Sequence, residues 1–412
     1  MQIKVHRGLE QIGGCITEIS TDTSRVFIDM GQNLPGCGSP NREDDRPFID
    51  KIFRENKKKY EAVFYTHGHE DHIGLIDFVP KKEDGVIQYV GEGTKELLEL
   101  KYKLIVKMQL MARDNGWSSY SAEKLKIATT KRKCIQNLDT WTRGNKPKPI
   151  CIGDIKITPF FNCHSIYDSY MFLIEADGER IWHTGDYRAH GYMGKGLFKT
   201  LNVYAKNIDT LITEGTMLNR EDMCIHESVV AKKMASVISA FKYVFVLASS
   251  TDIERLASIQ SAAMKAKSLF YAGSSMFTGA MEIFTKREGD KVKGGLFKFK
   301  CKLYSKDSQI NSLKRTGFTM VVSVNHIDKI RELKKQLPES ETLLIYSSWP
   351  GYYTISEQIK ENPAYKNFRD MFLNCVDIHT SGHADRQTIE KVIKTVNAKK
   401  VIIIHKEKDA EL

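Results

Sequence analysis

Short strand-like runs rich in apolar residues open the chain over residues 15–19, 26–29 and 62–65, separated by turn-forming clusters such as Thr21-Asp22-Thr23-Ser24. They predict strands. Residues 94–113 carry a helical pattern, and the basic, Trp- and Tyr-containing stretch that follows to about residue 149 has no clear strand period. Strand-like runs resume over 155–160 and 170–182, where Asp177-Gly178 marks a hairpin turn between two arms. From about residue 208 strands (210–213, 243–248, 269–272) alternate with helices (near 226–240 and 252–266). That rhythm predicts a parallel sheet built from βαβ units. Further strands are expected at 319–324 and 343–347, and a helix near 386–396 followed by a strand over 401–405 closes the chain. No repeat or flexible linker divides the halves, so the second unit reads as inserted in the first or tightly docked on it.

A length of 412 residues exceeds one ordinary domain, which agrees with two units. Charge adds a partner. Lys and Arg number 62 against 51 Asp and Glu, a net +11, and residues 101–150 alone hold 12 basic against 3 acidic residues. Residues 281–315 add 10 against 4. Either segment reads as a solvated face or as a surface for a polyanion. Met1-Gln2-Ile3-Lys4-Val5-His6 lacks the apolar run of a signal peptide, and no stretch approaches the length that spans a bilayer. A soluble, cytoplasmic protein with no membrane partner is expected. Eight cysteines without a C-x-x-C pair indicate reduced thiols rather than a zinc ribbon or disulfide framework.

The chemistry concentrates in Thr66-His67-Gly68-His69-Glu70-Asp71-His72-Ile73-Gly74, directly after the apolar run 62–65. His67 and His69, two apart in extended backbone, can point the same way, while Asp71 and His72 at the start of a helix would face a second ion beside the first. Each zinc takes about four ligands, so the set needs completion from elsewhere. His164 follows the strand pattern 155–160 and Asp186 the pattern 181–183, each at a strand end where a sheet edge presents it.

His67-x-His69-x-Asp71-His72, then His164, then Asp186 resembles the metallo-β-lactamase superfamily, and Asp29 matches that family's early aspartate, a residue expected to hydrogen-bond a ligand loop. Thr213-Glu214-Gly215-Thr216, His379-Thr380-Ser381-Gly382-His383-Ala384 and Ile403-Ile404-His405 resemble motifs A, B and C of the β-CASP nucleases, with the Ser-Gly-His-Ala segment especially close to the ribonuclease J group. The resemblance spans residues 29–405. It implies an α/β fold: a metallo-β-lactamase αββα sandwich (1–208), an inserted β-CASP domain of parallel sheet flanked by helices (209–372), and a return segment (373–412) that completes the site.

The same resemblance implies that two Zn2+ ions, or Mn2+, are held by His67, His69 and His164 on one side and by Asp71, His72 and His405 on the other, with Asp186 bridging. Glu214 would orient His383, which would protonate the leaving oxygen or serve as a further ligand; with Asp71 and Asp186 these form the catalytic group. The implied activity is hydrolysis of phosphodiesters in single-stranded RNA. His405 at motif C favours RNA, since DNA-specific members tend to carry valine there. A DNA nuclease of the same mechanism is the runner-up, and the basic segments and β-CASP motifs weigh against a small-molecule ester or thioester hydrolase.

His379, Ser381 and the backbone at Gly382 precede a helix whose N-terminus could hold a substrate phosphate, with Ser347 and Ser348 facing it; a capped helix and a polar turn are the alternative. Residues 296–303 alternate apolar and basic side chains, as a strand with one lysine face would. Lys131, Arg132 and Lys133 are candidates for direct RNA contact. A homo-oligomer is compatible with the resemblance, although the chain stops seven residues after His405, where ribonuclease J continues into a domain used in assembly.

Overall fold

Val26 and Ile28 point to one side of their strand and Phe27 to the other, and all three are fully buried. Period two places them so, and burial on both faces makes the strand an inner layer of a stack. The computed structural model describes residues 1–39, 41–144, 147–220, 224–292, 294–305 and 309–412. It divides into one unit of Met1–Ala189, Met193–Met223 and Gly382–Leu412 and another of His190–Tyr192 and Cys224–Ser381.

The first unit is a four-layer αββα sandwich. One sheet runs in the order Gln2–Arg7, Ile16–Ser20, Ser24–Ile28, Tyr60–Phe64, Val86–Gly91, Asp139–Trp141, antiparallel at its start and parallel from Ser24–Ile28 onward. The other runs Lys400–Ile404, Thr210–Glu214, Glu179–His183, Ser169–Ala176, Ile155–Asn162, Ile150–Ile152. Between the sheets lie Ile28, Phe64, Phe172, Ile174, Ile212 and Ile404. Outside the first sheet, Phe27, Val63 and Tyr65 pack with Ile52 of the helix Arg46–Arg54, Leu98 and Tyr102 of Glu92–Asp114, and Ile135 of Ala122–Gln136. Outside the second, Trp182 and Leu211 meet Leu201 of Leu197–Tyr204 and Ile389 and Val392 of Arg386–Val396.

The second unit is a parallel sheet in the order Lys302–Leu303, Phe270–Ala272, Phe318–Val322, Tyr243–Leu247, Thr342–Tyr346, Cys375–Asp377. Phe245, Met320 and Leu344 pack on one face with Leu313, Ile330 and Phe368, while Val244, Val246, Val321 and Ile345 are buried on the other. A sheet apolar on both faces needs helices on both, which is why its strands read as continuous apolar runs.

Two expectations change. The strand Thr210–Glu214, placed at the head of the second domain by its rhythm, pairs with Glu179–His183 and Lys400–Ile404 and so belongs to the first unit. A strand–helix rhythm continues across such a boundary because both units contain parallel pairing. Of 296–303 only Lys302–Leu303 is a strand; Phe297 is buried alone while its neighbours turn. The basic stretch after residue 113 contains the helix Ala122–Gln136, with Ser121 accepting from the Lys124 N–H at 3.2 Å as its N-cap. Among the described residues no helix is long and apolar enough to cross a membrane, and no disulfide joins any of the eight cysteines.

Candidate metal centre

Strand ends of the first unit deliver the site. Asp29 follows Ser24–Ile28, His67 follows Tyr60–Phe64, His164 follows Ile155–Asn162, Asp186 follows Glu179–His183, Glu214 ends its strand, and His405 follows Lys400–Ile404. Asp29 and His405 hold left-handed backbone, at φ 64° and 52°. This is a costly conformation for a residue with a Cβ, retained where the surroundings dictate it. Asp29 is fixed by its N–H to the Phe64 carbonyl at 2.9 Å and His405 by its N–H to the Gly8 carbonyl at 2.6 Å.

Seven candidate ligands converge. His69 Nδ1 lies 3.1 Å from His67 Nε2 and 3.2 Å from His164 Nε2. Beside this trio, Asp71 Oδ2 is 3.1 Å from His405 Nε2 and 3.7 Å from His72 Nε2. Asp186 Oδ2 reaches both sets, at 3.9 Å from His67, 3.8 Å from His164, 3.1 Å from His72 and 3.5 Å from His405. Donor atoms around a tetrahedral zinc with bonds of about 2.0–2.1 Å stand about 3.3 Å apart, close to the two distances from His69 Nδ1.

Four of the five ligand imidazoles are aimed by their other nitrogen. His72 Nδ1 donates to Asp29 Oδ2 at 2.7 Å. Thr66 Oγ1 donates to Asp29 Oδ2 at 2.8 Å and so accepts from His67 Nδ1 at 2.9 Å. His164 Nδ1 donates to the Gly382 carbonyl at 2.7 Å. Thr216 Oγ1 lies 3.3 Å from the His405 carbonyl, its own acceptor, and takes the His405 Nδ1 proton at 2.7 Å. In all four rings Nε2 is left with its lone pair toward the cluster, the tautomer a metal requires. His72 Nε2 and Asp186 Oδ2 are buried, face each other at 3.1 Å and make no well-aligned hydrogen bond. Such orphaned atoms are costly unless a cation satisfies them, and the residues fit a divalent metal.

The electrostatics agree. Burial holds His67 and His164 well below the usual histidine pKa and His69 at about 4, so these rings stay neutral. Burial opposes charge on His72, but Asp186, Asp71 and Asp29 outweigh it and raise its pKa well above normal. A field that favours a proton there also favours a metal cation. Burial works against ionisation of Asp71 and Asp186, yet neighbouring histidines bring Asp71 down to about 2 and Asp186 well below the usual range.

His383 stands at the edge of the cluster. Its Nδ1 is 2.7 Å from Glu214 Oε2 and 3.8 Å from Asp186 Oδ2, and the ring keeps 21% exposure. Glu214 is buried, and its other oxygen accepts from the Tyr187 N–H at 2.8 Å. Burial disfavours the imidazolium, but Glu214 and then Asp186 outweigh it and raise the pKa of His383.

The phosphate-pocket candidates divide. Ser347, Ser348, His379 and Ser381 belong to the second unit, and Gly382 to the first. Ser347 is buried, donates to the Ile378 carbonyl at 2.7 Å and accepts from Arg255 at 2.7 Å, so its single proton is committed to the frame and is not offered to a ligand. Gly382 is a ring-orienting carbonyl, and a Cβ there would stand 2.3 Å from Ser165 Oγ. The helix Arg386–Val396 is capped by Asp385, which accepts from the Thr388 N–H at 2.9 Å; a carboxylate already fills the place of a phosphate. Arg255 also donates to His379 Nδ1 at 3.2 Å and pairs with buried Glu227 at 2.9 Å. Lys131 is not a surface contact: it is 4% exposed and donates to Glu70 at 2.8 Å.

Sequence reasoning missed Thr66, Thr216 and Cys15. The thiol of buried Cys15 lies within 4.8 Å of the ligand atoms of His72 and His405, and no short motif marks it.

Residues 46–244 match the family model of a β-lactamase superfamily domain, and residues 373–411 match that of a zinc-dependent metallo-hydrolase RNA specificity domain. An RNase J-like protein of Methanocaldococcus jannaschii is 26% identical over 217 residues, 52% of this chain and 42% of that one. Ribonuclease J of Mycoplasma genitalium is 20% identical over 97% of this chain and 67% of its own. A transcription termination factor of Pyrococcus abyssi is 21% identical over 97% and 66%. The chain thus spans about two thirds or less of the length of these curated relatives. A crystal structure of a protein of unknown function from Enterococcus faecalis V583 shares the fold, with a TM-score of 0.69 at 19% identity over 99% of this chain and 94% of that one. With the ligand geometry and both family models in agreement, the chain belongs to the metallo-β-lactamase superfamily, in its β-CASP branch, and is similar to ribonuclease J.

Proposed function

We propose that this chain is a metal-dependent ribonuclease that hydrolyses phosphodiester bonds of single-stranded RNA in the cytoplasm, with two Zn2+ ions at the centre and Mn2+ as a competent replacement. The observation that carries this reading is the His383–Glu214 pair at 2.7 Å beside the seven-donor cluster. His67, His69 and His164 would hold one ion and Asp71, His72 and His405 the other, with Asp186 available to both sets. When bound, the ions supply Lewis acidity that activates a water and neutralises charge on the phosphoryl group. The RNA-specificity match and the ribonuclease J relatives support RNA as the substrate.

The chain's own residues supply the rest. Glu214, locked by the Tyr187 N–H, holds His383 and favours its protonated form, so the ring can give a proton to the leaving ribose oxygen as the P–O bond breaks. Asp29, Thr66, Thr216 and the Gly382 carbonyl keep the ligand rings oriented through the cycle. In this reading the second unit is the β-CASP domain.

The test is degradation of 5′-labelled and 3′-labelled single-stranded RNA, with matched DNA, in added Zn2+ or Mn2+. Metal-dependent cleavage of RNA with DNA spared supports the reading, and the two labels separate stepwise 5′ trimming from internal cuts. Cleavage of DNA alone, or no cleavage of RNA with metal bound, overturns it.

A further inference from the structure

The helices Glu92–Asp114 and Ala122–Gln136 form a hairpin on the outer face of the first sheet. Two features of it are unexplained by packing. Residues 101–133 hold nine Lys and Arg against two Asp and Glu. Lys103, Lys107, Lys124, Lys126 and Lys133 are exposed, with no ion-pair partner among the described residues. Around the tip, Met108 (53% exposed), Met111, Trp117 (52%) and Tyr120 also face solvent. The tip is ordered, since Gln109 accepts from the Ser121 N–H at 2.8 Å and donates to the Ser119 carbonyl at 3.3 Å.

The hairpin is fastened to the metal loop. Glu70, between His69 and Asp71, takes hydrogen bonds from Lys101 at 2.5 Å, Tyr102 at 2.9 Å and Lys131 at 2.8 Å. From Lys101 to the end of its helix at Asp114 the axis runs about 20 Å. A lysine-lined ridge therefore begins beside the candidate centre and ends at exposed aromatic rings.

We infer that this hairpin is a docking surface for single-stranded RNA, its lysines following the phosphates and Trp117 and Tyr120 stacking on bases beyond the metal centre. The inference rests on the proposed ribonuclease activity for its substrate. Charge complementarity selects a polyanion, and exposed rings select unstacked bases over a duplex. Glu70 sets the register, holding the ridge at a fixed distance from the residues that would cut.

Two variants test it: Lys103→Glu/Lys107→Glu/Lys126→Glu and Trp117→Ala/Tyr120→Ala, all at exposed positions. KM and kcat are measured on single-stranded RNA of about 20 and about 4 nucleotides, the shorter unable to reach the tip. The expected result is a KM raised about tenfold or more on the longer RNA, with kcat and the shorter substrate unchanged. In a His383→Ala background, fluorescence anisotropy with the longer RNA should show a salt slope reduced by about 0.7 for each phosphate that the lysine variant no longer neutralises. Unchanged KM and salt slope overturn the inference. So does loss of a dimer in light scattering with RNA affinity intact, which would assign the apolar tip to a protein contact. If the wild type cleaves no RNA, the proposed activity fails, while the binding measurement still decides whether the hairpin holds RNA.

Discussion

The Glu70 carboxylate accepts a hydrogen bond at 2.8 Å from Lys131, a lysine 4% exposed at the heart of the helical hairpin. The contact joins two segments 61 residues apart, one of which sits inside the metal-ligand motif. Burial raises the carboxyl's pKa, but Lys101 and Lys131 outweigh it and hold Glu70 well below the usual range. Burial in turn lowers Lys131.

Glu70→Gln keeps the shape and strands a buried ammonium. We expect a loss of about 2–3 kcal/mol in urea unfolding at pH 7, below the full value for a buried pair because Glu70 is partly exposed. Adding Lys131→Met should recover part of it. A depressed carboxyl contributes stability above its unfolded pKa of about 4.3 and loses it as pH falls through the folded value. The gap between wild type and variant should therefore hold steady from neutral pH to about 5 and shrink in acid. A gap constant through acid pH would contradict this account.

Glu214 raises the pKa of His383 against burial, so removing its charge should lower that pKa. In Glu214→Gln the acid form is lost at lower pH, and the alkaline limb of the kcat profile should move to lower pH. An unmoved limb with reduced kcat would give Glu214 another task.

Asp29 orients His72 and Thr216 orients His405. Asp29→Ala and Thr216→Ala should each weaken metal binding about 10–100-fold, read by competition with a chelator, while far-UV circular dichroism stays native. Unaltered affinity in both would show that the rings are aimed by packing alone.

Gly31 packs against the ligand loop so closely that a Cβ would stand 1.8 Å from the Asp71 carbonyl oxygen. Gly31→Ala must displace Asp71 or its own strand end. A cost of about 3 kcal/mol or more is expected, with metal content reduced as well. Full stability and full metal content would show that the loop yields without consequence.

How much of this was legible from residues alone follows from what each feature depends on. Val26, Phe27 and Ile28 are readable as a strand because a short apolar run bounded by turn residues is a local pattern. The ligand loop is readable because His67, His69, Asp71 and His72 lie within one turn-length segment. Thr216 reaches His405 only because Thr210–Glu214 and Lys400–Ile404 pair in parallel, and Cys15 nears His72 only through the same stacking of layers. No local pattern encodes such meetings. Lys131 misleads for the same reason: in a run of Lys131-Arg132-Lys133 every charge looks solvated, and only a distant Glu70 distinguishes the buried one. Residues 296–303 alternate like a strand, but only their last two residues find a neighbouring strand.

The measurement that bears most directly on the central claim is the metal content and RNA-cleavage rate of His383→Ala beside wild type and His69→Ala. We predict two metals per chain in wild type and in His383→Ala, a rate lowered about 10²–10⁴-fold in His383→Ala, and loss of both metal and activity in His69→Ala. A His383→Ala protein that loses a metal would make His383 a ligand, and one that cleaves RNA at the wild-type rate with both metals in place would contradict its role as the proton donor.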